Sequence, residues 1–190
     1  MNETSKKILN AAIKVFKEKG FVSSSTKLIA KEAGVAEITL YRKFDSKKTL
    51  FEQAVRTHLK PSFLDSKLDS TLKTETFFET LLEERLSVMS ESSDLMALVI
   101  RESLSGNLPE DLNFSTIVFK ALKKVLENHK DHHALLMDTE ALSRVIVGLL
   151  VSYVLLPPQK SFKALSEKEK KALLKTHVDM LMEPINKQGR

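Results

Sequence analysis

A chain of 190 residues, 42% hydrophobic and 29% charged, can bury a real core as one domain or two small ones. Five Gly and five Pro are too few for an all-β fold with many tight turns, and the absence of Cys excludes disulfides and thiolate metal sites. The net charge of +5 is unevenly placed: residues 1–60 hold 13 Lys or Arg against 6 Asp or Glu, and residues 61–190 hold 17 against 19. A basic excess confined to the first third is the footprint of a polyanion-binding module joined to a neutral one.

The N-terminus is charged and amphipathic and lacks the apolar stretch and cleavage site of a signal peptide. The longest apolar-rich run, Val145 to Leu156, is 12 residues, whereas a membrane span needs roughly 20. A cytoplasmic location, with no membrane partner, is the expectation, and the lack of Cys fits a reducing compartment.

In chain order, the first helix is predicted over about Ser5–Lys19, with Ile8, Leu9, Ala12, Ile13 and Phe16 on one face and Gly20 as an αL cap. Thr26 is expected to cap a second short helix through Ala33, and Gly34 to break it. A third helix covers about Ala36–Phe44. "DSKK" (45–48) caps a fourth, from Lys47 to about Leu59, before Pro61. Further helices are predicted at about 73–89, 94–104, 114–128, 139–156 and from Ser166 to about Met182, before Pro184, with a turn at 105–111. No segment alternates as a strand does.

Residues 26–45 meet the mechanical demands of a helix-turn-helix together. Ala30 is the small residue where the second helix packs close. Gly34 supplies the turn, and Leu40 packs back on Ile29, Ala33 and Val35. In that arrangement Ala36, Glu37 and Ile38 face base edges in the major groove. Glu37 can accept from a cytosine amino group and Ile38 can touch a thymine methyl. Thr39, Tyr41, Arg42 and Lys43 reach phosphates. Ser24, Ser25 and Thr26 open the second helix, and Lys47 and Lys48 open the fourth, where free N–H groups and hydroxyls hold phosphates.

The stretch "ILNAAIKVFKEKGFVSSSTKLIAKEAGVAEITLYRKFDSKKTLFEQAV" (8–55) resembles the N-terminal domain of the tetracycline-repressor (TetR/AcrR) family, through "A..VF...GF", "T...IAKEAGV" and "TLYRKF.SK..L" in that order. The rest of the chain matches only in layout. The resemblance implies an all-α protein with an N-terminal three-helix DNA-binding domain (1–48) and a larger helical effector-binding and dimerisation domain (49–190), the helix at about 47–59 linking them. It implies a homodimeric transcription factor, usually a repressor, that binds palindromic operator DNA through residues 26–44 and is released by a small ligand. By family pattern Thr39, Tyr41 and Lys47 are phosphate or groove contacts, and Thr26 is the helix cap facing the DNA backbone. Ile38 stands where the family often has Gly or another small residue, and Glu37 is acidic where basic or small residues are common, so the operator sequence cannot be borrowed from relatives.

Two recognition helices read half-sites in successive major grooves, about 34–36 Å apart or a multiple, which requires a dimer. Residues 139–156 are apolar nearly all round, with Leu142, Val145, Leu149 and Tyr153. The last helix presents Leu173, His177, Met180 and Leu181. These suit the family's four-helix bundle, two helices from each subunit, and Gly148 allows close approach. Between the two ends, Phe77, Phe78, Leu82, Met89, Met96, Ile100, Phe114 and Val118 can line a cavity for a largely apolar effector, or a solid core, with Arg101 as a polar end.

His129, Asp131, His132 and His133 do not place three metal ligands on one helical face, and they suit a helix C-terminus, so neither metal nor cofactor is expected. There is no phosphate-binding Gly loop, G-x-S-x-G, H-E-x-x-H or Cys nucleophile, which argues against an enzyme. A protein-interaction module that kept the helix-turn-helix without binding DNA is the other alternative, and the basic first third argues against it.

Overall fold

The structure, a computed structural model, describes residues 2–59 and 68–188, the last few (184 and 186–188) by backbone alone. It is all-helical, with no strand among the described residues. The helices are α1 (Glu3–Ser23), α2 (Thr26–Glu32), α3 (Glu37–Phe44), α4 (Lys47–His58), α5 (Thr74–Glu91), α6 (Ser93–Leu104), α7 (Ala121–His133), α8 (Thr139–Leu155) and α9 (Glu167–Gln188). Short 3₁₀ turns lie at Glu110–Leu112 and Phe162–Ala164.

The chain divides into two compact units, Met1–Lys60 with Asp94–Phe114, and Pro61–Ser93 with Ser115–Arg190. This division differs from a boundary after residue 48, since α4 and nearly all of α6 group with the N-terminal helices.

In the N-terminal unit, Asn2 caps α1 by accepting from the Ser5 N–H at 2.9 Å. The apolar face of α1 buries Ile8, Leu9, Ala12 and Phe16, as its periodicity predicts. Phe16 meets Phe51 of α4 edge-on at 4.8 Å, and Phe21 lies 5.0 Å from the same ring. The helix does not stop at residue 19. It bends at Gly20, which has φ 76° and ψ 172°, and resumes to Ser23. The positive φ was expected, but this ψ lies outside the αL region, in a region that only glycine occupies at little cost.

The turn between α2 and α3 follows the sequence closely. Ala33 is the last residue with right-handed helical angles, and Gly34 takes φ 65°. The Gly34 N–H donates to the Lys31 carbonyl and the Val35 N–H to the Ala30 carbonyl, 3.1 and 3.0 Å. That pair of bonds is a Schellman motif, which satisfies carbonyls at the end of α2 and turns the chain into α3. Leu40 and Phe44 of α3 are buried with Ile29 and Ala30 of α2. The cap of α2 differs from expectation. Ser25, not Thr26, accepts from the Leu28 N–H, so Thr26 is the first helical residue.

The other unit is built on α5, whose Phe77, Phe78, Leu81, Leu82 and Leu86 are buried. It packs with α8 and α9, and α7 packs with α8. Two expectations are corrected here. The helix predicted over 114–128 opens as a π-helical segment, Ser115–Lys120, and α7 then runs to His133. "HKDHH" forms the C-terminal end of that helix, the place its residues suit, and Ala134, at φ 50°, ends it. The last helix continues past residue 182 to Gln188. A proline forfeits one backbone bond, which a helix of this length survives. The expected stop before Pro61 lies outside the described residues.

His129 is fully buried and stacks on Phe77, ring centroids 3.8 Å apart and planes 13° from parallel. Its Nδ1 lies 3.0 Å from the Ser70 carbonyl and its Nε2 3.2 Å from the Thr74 hydroxyl. A carbonyl only accepts, so Nδ1 carries the hydrogen and the neutral ring accepts from Thr74 at Nε2. Burial holds its pKa below the usual value, assisted by His133 and His132 and opposed by the Ser70 bond.

A Cβ on residue 34 would meet nothing within 4 Å, so Gly34→Ala is expected to cost only the left-handed strain, about 1–2 kcal/mol, seen as a lowered thermal midpoint with the helical content kept. His129 favours its neutral form when folded, so its contribution is complete above pH about 6.5 and is lost as the pH falls below that value. His129→Gln is expected to lower stability by about 1–3 kcal/mol at pH 7.5, and the gap to the parent chain should narrow by pH 5.5 in denaturant titrations.

Candidate nucleic-acid interface

The helix-turn-helix presents α3 with two faces. Leu40 and Phe44 point into the core, while Ala36, Ile38, Tyr41 and Arg42 are exposed, Ile38 at 75%. Ile38 and Arg42, and Glu37 and Tyr41, are each four residues apart and form two adjacent rows along the helix. Thr39 and Lys43 are half-exposed. An exposed isoleucine beside an arginine on a short helix is an apolar contact and a cation offered to solvent together.

Thr26 stands where α2 meets α3. It is 8% exposed, and its hydroxyl donates to Glu37 Oε1 at 2.6 Å. The Tyr41 hydroxyl lies 3.0 Å from the same oxygen of Thr26. Thr26 has one hydrogen and Glu37 takes it, so Tyr41 is the donor in the second bond. The result is a chain from Tyr41 to Thr26 to Glu37, reaching across both helices. Three of the residues singled out from sequence are thus brought into one polar cluster. The bonds span 15 and 11 residues, and no local pattern announces them.

Ser25 is exposed at the start of α2, its side chain engaged by the Leu28 N–H at 3.1 Å. Lys47, at the start of α4, donates to the carbonyls of Ser24 at 2.9 Å and Val22 at 3.2 Å, and its ammonium stands 4.5 Å from the centre of the Phe21 ring. Lys43 donates to Asn2 Oδ1 at 3.3 Å. Sequence reasoning passed over Asn2, which caps α1 and holds Lys43, although Asn just before an amphipathic run is a recognisable cap signal.

The other predicted residues divide as follows. Phe77, Phe78, Leu82, Met89 and Val118 belong to the C-terminal unit; Met96, Ile100, Arg101 and Phe114 belong to the N-terminal one. Phe77, Phe78, Leu82 and Met96 are fully buried in packed interior, and Ile100 and Val118 nearly so. Phe114 is half-buried, and Arg101 is half-exposed beside Glu102. Of the set, Met89 lines a cleft in the C-terminal unit of about 80 Å³, with Leu86, Tyr153, Pro157, Pro158 and Phe162. On α8 and α9, Leu142 and Leu181 are buried within the single chain. Val145 and Met180 stand 59% and 66% exposed, and Leu149, Tyr153, Leu173 and His177 are half-buried. The Tyr153 hydroxyl lies 3.0 Å from His177 Nε2. Gly148 has no atom within 4 Å of where a Cβ would stand. No helix among the described residues is long and apolar enough to cross a membrane.

Comparison with known proteins agrees with this geometry. Residues 8–54 match the family described as bacterial regulatory proteins, tetR family. The chain is 26% identical over 157 residues to the biofilm operon icaADBC HTH-type negative transcriptional regulator IcaR of Staphylococcus aureus, covering 78% of this chain and 81% of that one. In fold it resembles the fatty acid degradation regulator FadR from Bacillus halodurans, at 20% identity and a TM-score of 0.69 over 96% of both chains. It also resembles the transcriptional regulator FadR from Bacillus subtilis, solved in complex with stearoyl-CoA, at 17% identity and a TM-score of 0.68, covering 94% of this chain and 97% of that one. With the helix-turn-helix and the matched N-terminal segment in agreement, residues 8–54 form a DNA-binding domain of the tetR family of bacterial regulatory proteins, and the all-helical chain shares its fold with regulators of that kind.

Proposed function

We propose that the protein is a homodimeric repressor that binds palindromic operator DNA through α2 and α3 and is released by a small, largely apolar effector. The observation that carries the DNA-reading part is the Tyr41–Thr26–Glu37 chain beside the exposed row of Ile38 and Arg42. On DNA, a phosphate oxygen replaces Thr26 as the acceptor for Tyr41, and the Thr26 hydroxyl turns to the same backbone. Glu37 is then released to accept from a cytosine amino group, and Ile38 lies against a thymine methyl. Arg42, Lys43, Thr39 and Ser25 add backbone contacts, and Ala36 allows close approach at the start of α3. Lys47 uses two of its three N–H donors on carbonyls, which leaves one for a phosphate.

Repression is supported by the negative regulator among the relatives. Dimerisation is supported by the open apolar groups of α8 and α9, with Gly148 exposed on α8. An effector with a long acyl chain is the chemical class to screen first, because a fold neighbour is bound to stearoyl-CoA and because Leu86, Met89, Tyr153 and Phe162 line the cleft in the C-terminal unit.

Selection of bound sequences from a random DNA pool tests this reading; the expected outcome is a two-fold symmetric motif bound with a steep salt dependence. Tyr41→Phe, which removes one uncharged phosphate donor per subunit, should weaken binding to all sequences alike, by about 1 kcal/mol per contact, and leave the salt slope nearly unchanged because no cation is lost. Glu37→Gln should shift base preference by about 1–3 kcal/mol at one position of each half-site, read by repeating the selection. Val145→Glu with Met180→Glu should yield folded monomers by sedimentation that no longer bind the operator.

A further inference from the structure

Glu102, near the C-terminal end of α6, is 4% exposed, and the groups that hold it, on Phe21, Arg101 and Asn107, all lie in the N-terminal unit. Its Oε1 accepts from the Phe21 N–H and from Arg101 Nε, each at 3.1 Å, and its Oε2 accepts from Asn107 Nδ2 at 2.7 Å. Asn107 is itself held, its N–H donating to the Glu102 carbonyl at 2.9 Å. Burial would raise this carboxyl's pKa, but the bonds from Asn107, the Phe21 N–H and Arg101 outweigh burial and keep it low. The side chain is therefore an ionised, fixed acceptor.

What it grips is the bend in α1. Gly20 brings the Phe21 N–H to the carboxylate, and a Cβ on residue 20 would stand 3.2 Å from Glu102 Oε1 and 3.3 Å from Arg101 Nη2. From there to the operator face the chain is short and fastened throughout. The Gly20 carbonyl accepts from the Ser24 hydroxyl at 2.6 Å, the carbonyls of Val22 and Ser24 hold Lys47, and Ser25 caps α2, whose first residue is Thr26. A buried carboxylate is a poor way to fill space, since apolar residues of similar volume would do as well for stability; what it supplies is one defined partner at one defined place.

We propose that Glu102 is a positioning residue for DNA binding: its carboxylate ties residues 20–24 to the end of α6, so that the placement of Thr26 and Lys47 depends on where that end of α6 stands. The proposal rests on the DNA-binding reading above. Gly20 is the residue that lets α1 accept the tie.

The test uses the full chain and an operator selected with the parent protein. Salt dependence of binding is measured for the parent, Glu102→Ala, Glu102→Gln and Asn107→Ala, alongside circular dichroism and amide hydrogen exchange over residues 20–28. Glu102→Ala is expected to keep its helical signal, to exchange faster at Phe21, and to reduce the magnitude of the salt slope by about 1.8 or more, which corresponds to one fewer phosphate neutralised by each subunit. Glu102→Gln, which can still accept from Phe21, should recover most of the slope, and Asn107→Ala should lie between them. A role in stability alone would lower the thermal midpoint and leave the slope of the folded protein unchanged. A folded Glu102→Ala with the parent's affinity and slope overturns the proposal. Should Glu102→Ala not fold, a parental slope in both Glu102→Gln and Asn107→Ala, with faster exchange at Phe21 in either, overturns it equally. A parent chain that selects no sequence removes the DNA-binding reading itself, a result distinct from any change among the variants.

Discussion

At Gly20 the backbone of α1 leaves the helical region, and the turn it makes is held on several sides: the Phe21 N–H on Glu102, the Gly20 carbonyl on the Ser24 hydroxyl, and the Val22 and Ser24 carbonyls on Lys47. These are the carbonyls and N–H groups that a continuous helix would have paired internally. Once α1 bends they need other partners, and the partners come from α6, from α4 and from Ser24 within the turn. The direction of α2, and with it the place of Thr26, follows from that turn. The aromatic contacts of Phe21 with Phe16 and Phe51 press it against the core from the inner side.

Polar groups on the exposed side of the helix-turn-helix are paired with one another. Tyr41 bonds Thr26, Thr26 bonds Glu37, and Lys47 and Lys43 rest on a carbonyl pair and on Asn2. Such pairing fixes rotamers that would otherwise have to be ordered on binding, which reduces the entropic cost of association. The acidic member gives this surface a selective character. In the proposed complex a phosphate would repel Glu37 and a cytosine amino group would satisfy it, so the same carboxylate would weaken indiscriminate binding and strengthen one register.

In the C-terminal unit a different balance holds. The Phe and Leu residues of α5 are consumed by the core, and His129 completes it as a neutral ring stacked on Phe77. Apolar side chains remain open on α8 and α9, where Val145 and Met180 are exposed in the single chain. A helix that is apolar nearly all round cannot bury every face against its own unit, and α8 leaves one side unmatched.

Much was legible from sequence because it depends on short-range spacing. Helical period placed Ile8, Leu9, Ala12 and Phe16 in the core; Gly34 marked the turn; Leu40 pointed back toward α2; and the charge count assigned the basic excess to the first third. The same local rules misjudged places where a neighbour in space overrides them. Thr26 reads as a helix cap, but Ser25 takes that role once the Thr26 hydroxyl finds Glu37. Residue 184 reads as a stop, but α9 continues through it. Nothing in the local sequence marks Glu102, which is a buried acceptor for Phe21, 81 residues earlier. Hydrophobic periodicity is a property of neighbouring residues, so the sequence by itself determined the helices, their inward faces and the helix-turn-helix. Hydrogen bonds between distant residues exist only after packing has brought donor and acceptor within about 3 Å, so only the tertiary structure decided which polar side chain holds which.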